Sequence, residues 1–325
     1  MKRALVTGAA GQIGTELVAA LRRLLGPEAV LATDLRLADP DHPVRAEGDF
    51  QVLDCTQGTE VARIVSEHEA DVIFHLAALL SAVGEKRPLE AYRVNLGGLM
   101  EVLEVARQEE CAVFTPSSIA AFGPDTPPDP TPQTTIQRPT SMYGVTKVAG
   151  ELLCDYYHSK FGVDTRGLRY PGIISHSAPP GGGTTDYAVE IFHAAVRDGK
   201  YTCFLEPDTQ LDMMYMTDAV RAAMELMEAD PDRLRHRNAF NVTAMQLTPA
   251  ALAESLRKRI PHFEIDYDVD PVRQAIADSW PRRMDDSAAR EEWGWSPTFG
   301  LDEMVDDMLD HLRLAHPIES ASPSN

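Results

Sequence analysis

The feature that most constrains the fold is a set of spaced glycines between a short apolar segment and an amphipathic one. Residues 2–7 predict a buried strand, and apolar side chains at helical spacing follow Thr15. Gly8, Gly11 and Gly14 lie between these segments. Glycines at this spacing permit a tight turn and let backbone N–H groups approach a pyrophosphate at the positive N-terminal end of a helix. The segment therefore predicts a strand–turn–helix unit that binds a dinucleotide.

Strand and helix patterns alternate through the first half of the chain. Apolar strands are predicted at 29–33, 49–54, 70–78, 111–118 and 163–170, with helices at 59–69 and 88–108 and a third from about Tyr143. This alternation predicts an α/β fold with a Rossmann-like, doubly wound parallel sheet. Ligands of such sheets bind at the carboxyl ends of the strands. The residues predicted at those ends are Gly8, Asp34, Asp54, His75–Ala78 and Ser118.

Two acidic residues at strand ends predict contacts with the adenosine half of NAD. Asp34 follows the glycines by about 20 residues, where a carboxylate accepts hydrogen bonds from ribose hydroxyls and repels a 2′-phosphate. Asp54 could hold the adenine amino group. Arg36 is the nearby residue that could weaken the repulsion of a 2′-phosphate. NAD is the predicted cofactor, and NADP stays open as an alternative.

Tyr143 and Lys147 are predicted to carry the chemistry. They are four residues apart, so on a helix they lie on the same face. A nearby ammonium favours the phenolate form of a tyrosine, which can then act as a general base towards an alcohol. An isolated pair of this kind is more often a surface tyrosine against a lysine stem. The agreement of the strand ends with a cofactor site favours the catalytic interpretation here.

Composition narrows the function classes. The 325 residues include 50 acidic and 30 basic ones, and the net charge of −20 repels phosphate backbones and anionic lipid. We therefore predict neither nucleic acid nor a membrane as partner, and with no long apolar segment we expect a cytoplasmic protein. The four cysteines are scattered, and the histidines show no paired spacing, so no metal site is predicted.

The pattern changes after Tyr170. Residues 171–174 and 178–186 are loop-like, and helices are predicted at 187–198, up to about Met227, and from the Thr248–Pro249 start to about 259. We predict a NAD-binding domain formed by 1–170 and about 212–245, a smaller C-terminal substrate domain formed by 171–211 and 246–315, and a disordered tail at 316–325.

Together these motifs resemble the extended short-chain dehydrogenases/reductases. Some longer stretches are similar to the NAD-dependent L-threonine 3-dehydrogenases of that superfamily: 75–85, 116–123, 169–174, 179–187 and 270–281. The resemblance implies that Tyr143 is the general base on the 3-hydroxyl of L-threonine and that the product is 2-amino-3-ketobutyrate. It also implies that Lys147 lowers the tyrosine pKa and holds the nicotinamide ribose. Ser118 would hydrogen-bond the reacting oxygen.

The strand ends and the resemblance together define the rest of the predicted site. The cofactor contacts are Gly8, Gly11, Gln12, Ile13, Asp34, Leu35, Leu53, Asp54, Leu76, Ala77, Ala78, Tyr143, Lys147 and Tyr170. The substrate contacts are Ser81, Ser118, Tyr143, Gly183, Thr185 and Trp280. Alternatively, Ser81 could only cap a turn, Gly183 could belong to a flexible connector, and Trp280 could only pack between domains. The resemblance also implies a homodimer that pairs helices 88–108 and 141–161.

Two other functions remain open from the sequence. A nucleotide-sugar epimerase or dehydratase uses the same tyrosine and lysine on a diphosphate-bearing substrate, which several basic residues would bind. Residues 171–211 offer only Arg197 and Lys200. A non-catalytic NAD-sensing regulator keeps the fold but typically loses the tyrosine or the lysine, and both are present here.

Overall fold

The structure of this protein, a computed structural model, describes residues 1–177 and 183–315. Its strands are β1 (Ala4–Thr7), β2 (Val30–Asp34), β3 (Phe50–Val52), β4 (Val72–His75), β5 (Ala112–Ser118), β6 (Thr165–Tyr170), β7 (Gly172–Ile174), β8 (Lys200–Cys203), β9 (Leu211–Tyr215), β10 (Phe240–Asn241), β11 (Met245–Leu247) and β12 (Glu264–Tyr267). Its α-helices are α1 (Gln12–Leu25), α2 (Pro43–Ala46), α3 (Gly58–His68), α4 (Ser81–Lys86), α5 (Pro88–Ala91), α6 (Leu99–Glu109), α7 (Met142–Phe161), α8 (Tyr187–Asp198), α9 (Met216–Glu228), α10 (Pro249–Arg259), α11 (Pro271–Asp278), α12 (Ser287–Trp293) and α13 (Leu301–Ala315).

Seven parallel strands form the central sheet, in the order β10-β6-β5-β4-β1-β2-β3. Successive strand residues point to opposite faces, and each face packs into its own apolar cluster. Ala4 and Val6 join the cluster that includes α1 and α9, whereas Leu5 joins the cluster that includes α3, α6 and part of α7. The prediction of a Rossmann-like, doubly wound α/β sheet is confirmed.

The predicted helix at 88–108 is continuous but is not α-helical throughout. A π-helical segment, Tyr92–Gly98, separates α5 from α6. Its buried Asn95 accepts a hydrogen bond from the N–H of Leu79 at 2.7 Å and donates to the carbonyl of the same residue at 3.0 Å. Such wide turns occur often at functional sites. Here the wide turn carries Asn95, and its side chain fixes the backbone of the loop that follows β4.

A second group of elements lies beyond β6. In a three-stranded sheet, β9 pairs with β7 in parallel and with β11 in antiparallel orientation, and β8 pairs with β12. These strands share an apolar cluster with α8, α10 and α13. The loop prediction for 171–174 is wrong for 172–174, because the two isoleucines that follow Gly172 extend as β7 against β9. Pro171 separates β7 from β6, because proline has no N–H to donate to the hydrogen bonds of a sheet.

The predicted assignment of these elements to a NAD-binding and a substrate domain stays a prediction. Residues 178–182, in the predicted glycine-rich loop, and the predicted tail 316–325 lie outside the described residues. Across the two described ranges, 1–177 and 183–315, no helix combines the length and apolar character needed to cross a membrane.

Candidate active site

A cleft of about 540 Å³ opens where β1, β2, β4, β5 and β6 end at their carboxyl edge. Small-molecule sites commonly enclose about 300–1,000 Å³. Every residue predicted to contact the cofactor lines this cleft, and so do Ser118 and Tyr143 of the predicted substrate contacts. The structure therefore brings the cofactor candidates together at one place, while their roles in binding stay a prediction.

The glycine-rich turn needs its glycines for two different reasons. Gly8 has φ +68°, and a Cβ added there would lie 2.7 Å from the backbone nitrogen of Ala77. Gly14 has no room for a side chain either, because its Cβ would lie 2.7 Å from the Cα of Ala9. Gly11 precedes α1 without a side-chain cap, and Gln12 lines the cleft. The first N–H groups of α1, which have no partner within the helix, can therefore serve an anion in the cleft.

Asp34 ends β2 beside this turn. Its Oδ2 accepts a hydrogen bond from the N–H of Ala10 at 3.1 Å, which fixes the carboxylate next to the glycines. Leu35 and the exposed Arg36 follow it along the wall of the cleft. The carboxylate is in position to accept ribose hydroxyls, and the guanidinium of Arg36 lies on the same wall.

Asp54 lies beyond β3 and also lines the cleft. Burial tends to raise the pKa of Asp54, but hydrogen bonds from the N–H and hydroxyl of Thr56, at 2.9 and 2.8 Å, bring the pKa below its ordinary value. An ionised carboxylate is an acceptor only, which suits an exocyclic amino group.

Tyr143 and Lys147 lie in the first two turns of α7. Ser141 caps this helix by accepting the N–H of Gly144 at 3.0 Å. The Lys147 Nζ lies 5.3 Å from the centre of the Tyr143 ring and donates to the carbonyl of Pro116 at 2.7 Å. Ser118 ends β5 and accepts the N–H of Ala120 at 3.2 Å. The helix and the strand end thus bring a phenol, an ammonium and a hydroxyl to one end of the cleft.

Burial shifts the pKa values of both Tyr143 and Lys147. Burial raises the pKa of Tyr143 to about 12, although its hydrogen bond with Ser118 acts in the opposite direction. Burial lowers the pKa of Lys147 to about 8, against the effect of the Glu151 charge. We expected Lys147 to make the tyrosine easily ionised. In the protein without bound NAD, burial of the phenol has a larger effect on its pKa than the hydrogen bond with Ser118.

A buried ion pair lies behind Lys147. Glu151, one further turn along α7, accepts hydrogen bonds from Arg169 at 3.1 and 2.9 Å, and each side chain of the pair is less than a tenth exposed. Gln137 and Ser117 also donate to this carboxylate. The spacing of Tyr143, Lys147 and Glu151 was visible in the sequence, but the guanidinium partner comes from β6 and was missed.

A small cavity of about 30 Å³ adjoins this pair, and Lys147, Glu151 and His75 are among the residues that line it. This is enough for one or two water molecules. His75 is buried, its Nδ1 lies 2.8 Å from the Thr7 hydroxyl, and burial lowers its pKa to about 3. The imidazole is therefore neutral and adds no charge beside the ammonium.

The other predicted substrate residues, Ser81, Gly183, Thr185 and Trp280, are not on the described wall of the cleft. Ser81 starts α4 immediately after Leu80, which lines the cleft. Thr185 packs closely against Gly172 of β7, since its Cγ2 would lie only 2.7 Å from a Cβ added to that glycine. The N–H of Gly183 donates to Asp186 at 2.6 Å, and residues 178–182 before it are outside the described part.

Trp280 packs on an apolar cluster of Ile119, Phe122 and Met284, and Ile119 follows Ser118 in the chain. It also packs against the cluster around α8 and α13. This position agrees with the packing alternative for Trp280 as well as with a role in shaping the site.

Several residues on the cleft wall were not among the predicted contacts, although Gly14 was predicted in the glycine-rich turn and Arg36 beside Asp34. They are Gly14, Arg36, Cys55, Leu79, Leu80, Glu90, Val94, Pro116, Ser117, Pro171 and Ile173. Most of them neighbour a predicted residue at a strand end, so the strand-end rule could have included them. Glu90 and Val94 come from α5 and the π-helical segment, and no local pattern pointed to the cleft. Tyr170 was predicted, but its hydroxyl donates to the carbonyl of Ala219 at 2.6 Å, which leaves its ring and backbone for contacts.

The chain is similar to known proteins over almost its whole length. The family described as NAD dependent epimerase/dehydratase matches residues 4–243. A Staphylococcus saprophyticus protein described as an uncharacterized epimerase/dehydratase is 55% identical, and the match covers 96% of this chain and 97% of the relative. The structure of L-threonine dehydrogenase from Clostridium difficile is 53% identical with a TM-score of 0.95, covering 97% of this chain and 98% of that one. A monomeric L-threonine 3-dehydrogenase from a metagenome is 44% identical with a TM-score of 0.91, covering 96% and 99%.

Proposed function

This chain belongs to the NAD-dependent epimerase/dehydratase family, as its sequence predicts, and on that premise we propose that it is an NAD-dependent L-threonine 3-dehydrogenase. The reaction oxidises the 3-hydroxyl of L-threonine and yields 2-amino-3-ketobutyrate. The observation that carries the proposal is the convergence of Ser118, Tyr143 and Lys147 at one end of a cleft lined by all the predicted cofactor residues. The likeness to solved threonine dehydrogenases supports the choice of substrate.

The described residues fit NAD. The turn of spaced glycines offers the positive end of α1 to a pyrophosphate, and Asp34 offers a fixed carboxylate to the adenosine ribose. A 2′-phosphate would meet the like charge of Asp34, which favours NAD over NADP. Bound NAD supplies the acceptor for the hydride that leaves C3 of threonine.

Tyr143 is the proposed base. As a phenolate it takes the proton of the 3-hydroxyl, while the Ser118 hydroxyl holds the reacting oxygen. Because burial raises the pKa of Tyr143, the phenolate needs positive charge nearby to form at neutral pH. Lys147 supplies that charge from one helical turn away, and its bond to Pro116 keeps the ammonium in place. Glu151 behind it favours the protonated lysine.

Binding of threonine in place of a simple alcohol requires partners for a carboxylate and an ammonium. We assign these roles to Ser81, Gly183 and Thr185, with Trp280 closing the pocket. The position of Ser81 supports its role, because it follows Leu80 on the cleft wall and α4 packs against α7. Thr185 lies against Gly172, between the wall residues Pro171 and Ile173, and the role of Gly183 rests on the resemblance. A site that hydrogen-bonds both ends of its substrate rejects analogues that lack those groups, because its own polar atoms are then left unpaired.

The proposed assembly is a homodimer, in a protein that we expect in the cytoplasm. Large apolar side chains are exposed on α5, the π-helical segment and α7: Leu89, Tyr92, Val145, Leu152 and Tyr156. A second copy would cover them by pairing these helices. One similar protein is described as monomeric, so the mass in solution is the measurement that decides. Light scattering that gives a monomer mass at micromolar concentration would contradict the dimer.

The test of the function is turnover by the pure protein. With NAD, L-threonine should produce NADH, serine should be a poor substrate because it lacks the methyl group, and 2-butanol should be inert. Nucleotide sugars should be examined by chromatography in parallel, since epimerisation leaves no net NADH. Epimerised sugar without threonine oxidation would favour the epimerase alternative. Tight NAD binding without any turnover would favour the regulator.

A further inference from the structure

Three side chains that can bind a metal ion converge outside the cleft. His176 follows β7, while Asp307 and His311 are one turn apart on α13. One ligand atom of each residue lies within 4.8 Å of the other two. The sequence predicts no metal site because the first histidine is far from the other two residues along the chain. Only the packing of α13 beside the end of β7 brings them together.

The hydrogen bonds around this cluster leave the same nitrogen of each imidazole for a ligand. The Nδ1–H of His311 donates to the carbonyl of Asp307 at 2.9 Å. The Ser177 hydroxyl donates to Glu16 at 2.7 Å, so its oxygen is the acceptor for Nδ1–H of His176 at 3.4 Å. When Nδ1 carries the proton, the lone pair is on Nε2. Partners that fix the tautomer in this way accompany most metal-binding histidines.

Asp307 is held in a similar manner, since its Oδ2 accepts the hydroxyl of Tyr215. Metal-binding carboxylates are commonly supported by such an outer hydrogen bond. The side chains of His311 and Asp307 are 45% and 34% exposed, so an ion can reach them from solvent. The cluster therefore has ligands, outer partners and access.

We propose that His176, Asp307 and His311 bind a divalent transition-metal ion of the zinc type. Two imidazole nitrogens and one carboxylate oxygen, with water as a fourth ligand, are a common set for zinc. Magnesium and calcium take oxygen ligands and fit this set poorly. The imidazole rings stack with centres 3.8 Å apart at 12°. Tetrahedral bonds of about 2.0–2.2 Å require the ligand atoms to approach one another by up to about 1.5 Å, which side-chain rotation of the exposed His311 ring can supply.

The ion would connect separate elements of the fold. Glu16 of α1 accepts hydrogen bonds from Ser175 at 2.9 Å as well as from Ser177, so the segment that carries His176 is already attached to the helix of the glycine-rich turn. An ion shared with α13 would attach the last described helix to the same segment. Binding should therefore raise the unfolding temperature of the protein, since it stabilises the folded state alone.

The test is calorimetric titration of the full chain with Zn²⁺, without NAD or threonine, followed by Co²⁺ for its absorption spectrum and Mg²⁺ as a control ion. We expect one Zn²⁺ per chain and a Co²⁺ spectrum with the intense bands of a tetrahedral site. His176→Gln and His311→Gln should each weaken Zn²⁺ binding about 100-fold or more, beyond the roughly 10–100-fold cost of losing an outer partner. His262→Gln, which removes an exposed histidine elsewhere, should leave it unchanged.

The four cysteines are all buried, so thiolates contribute little background binding. Circular dichroism and NAD binding show whether each variant is folded. The proposal is wrong if the wild type binds no Zn²⁺ at micromolar concentration, or if both histidine variants bind it as the wild type does. Equal binding of Mg²⁺ would also overturn the assignment to a nitrogen-containing site. None of these outcomes depends on whether threonine is the substrate.

Discussion

Lys147→Met removes the ammonium beside the proposed base and keeps an apolar stem of similar length. The Nζ that is lost lies 5.3 Å from the centre of the Tyr143 ring. Two unit charges about 5 Å apart interact by about 3 kcal/mol at an effective dielectric constant of about 20, which corresponds to about two pKa units. The variant should therefore hold less phenolate at neutral pH, and turnover should fall about 100-fold there.

The loss of turnover in Lys147→Met should depend on pH, because both the Tyr143 phenol and the Lys147 ammonium titrate. Below the phenol pKa, turnover rises with pH because more phenolate forms, and the variant should continue to rise for about two pH units beyond the wild type. In the wild type the pKa of Lys147 is lowered to about 8, so its charge is present below pH 8 and is lost above it. The advantage of the wild type should be largest below pH 8 and shrink as the pH rises.

The assay is kcat at saturating NAD and threonine from about pH 6 to 10, because saturation separates the chemical step from ribose binding. Tyr143→Phe is the matched control: it lacks the base, so its loss of about 100-fold or more should not recover at high pH. Lys147→Arg keeps a positive charge and should recover part of the turnover. The reasoning is refuted if Lys147→Met keeps turnover within about threefold of the wild type at pH 7. A ratio of the two enzymes that stays constant across the pH range would refute it equally.

Three other variants address the remaining parts of the site. Asp34→Ala should weaken NAD and improve NADP relative to it, measured as kcat/KM for each cofactor; a wild type that already prefers NADP contradicts this role. Thr185→Ala and Ser81→Ala should each raise the KM for threonine with NAD affinity nearly unchanged, and impaired NAD binding at a normal threonine KM would place these residues at the cofactor instead. Glu151→Gln leaves Arg169 buried without its counterion, so denaturant unfolding should show a loss of about 3–5 kcal/mol. A loss below about 1 kcal/mol would show that the pair is not needed for stability.

The parts of the fold that depend on local pattern could be predicted from the sequence. The glycine-rich turn, the strand ends at Asp34 and Ser118, and the helix that begins after Ser141 all follow from residues close together in the chain. The cleft collects these residues because parallel strands present their carboxyl ends at one edge. β7 was missed because an X-Pro-Gly segment has the composition of a turn, and only the pairing with β9 makes it a strand.

The features that were missed depend on contacts between distant residues. Arg169 pairs with Glu151 across β6 and α7, and His176 meets His311 only because α13 packs beside β7. No rule based on spacing along the sequence predicts contacts between residues so far apart in the chain. The burial that raises the pKa of Tyr143 is likewise a property of the packed structure, which no local pattern contains. The substrate contacts are the part that sequence reasoning supports least, and the cleft wall in the described residues does not include Ser81 or Thr185.

The position of β10 at the edge of the central sheet has a consequence for how the chain folds during synthesis. β10 pairs with β6. The Gln133 side chain holds the β10 segment by accepting the N–H of Asn241 at 2.8 Å and donating to the carbonyl of Ala239 at 3.0 Å, and its backbone carbonyl accepts a hydrogen bond from Arg169 of β6 at 2.8 Å. A nascent chain that has emerged as far as Tyr170 already contains six strands of the sheet, but β6 still exposes an open edge. Open edges pair with other chains and promote aggregation. The ribosome must add about 70 further residues, which takes roughly 4–14 s, before β10 can cover that edge of the sheet.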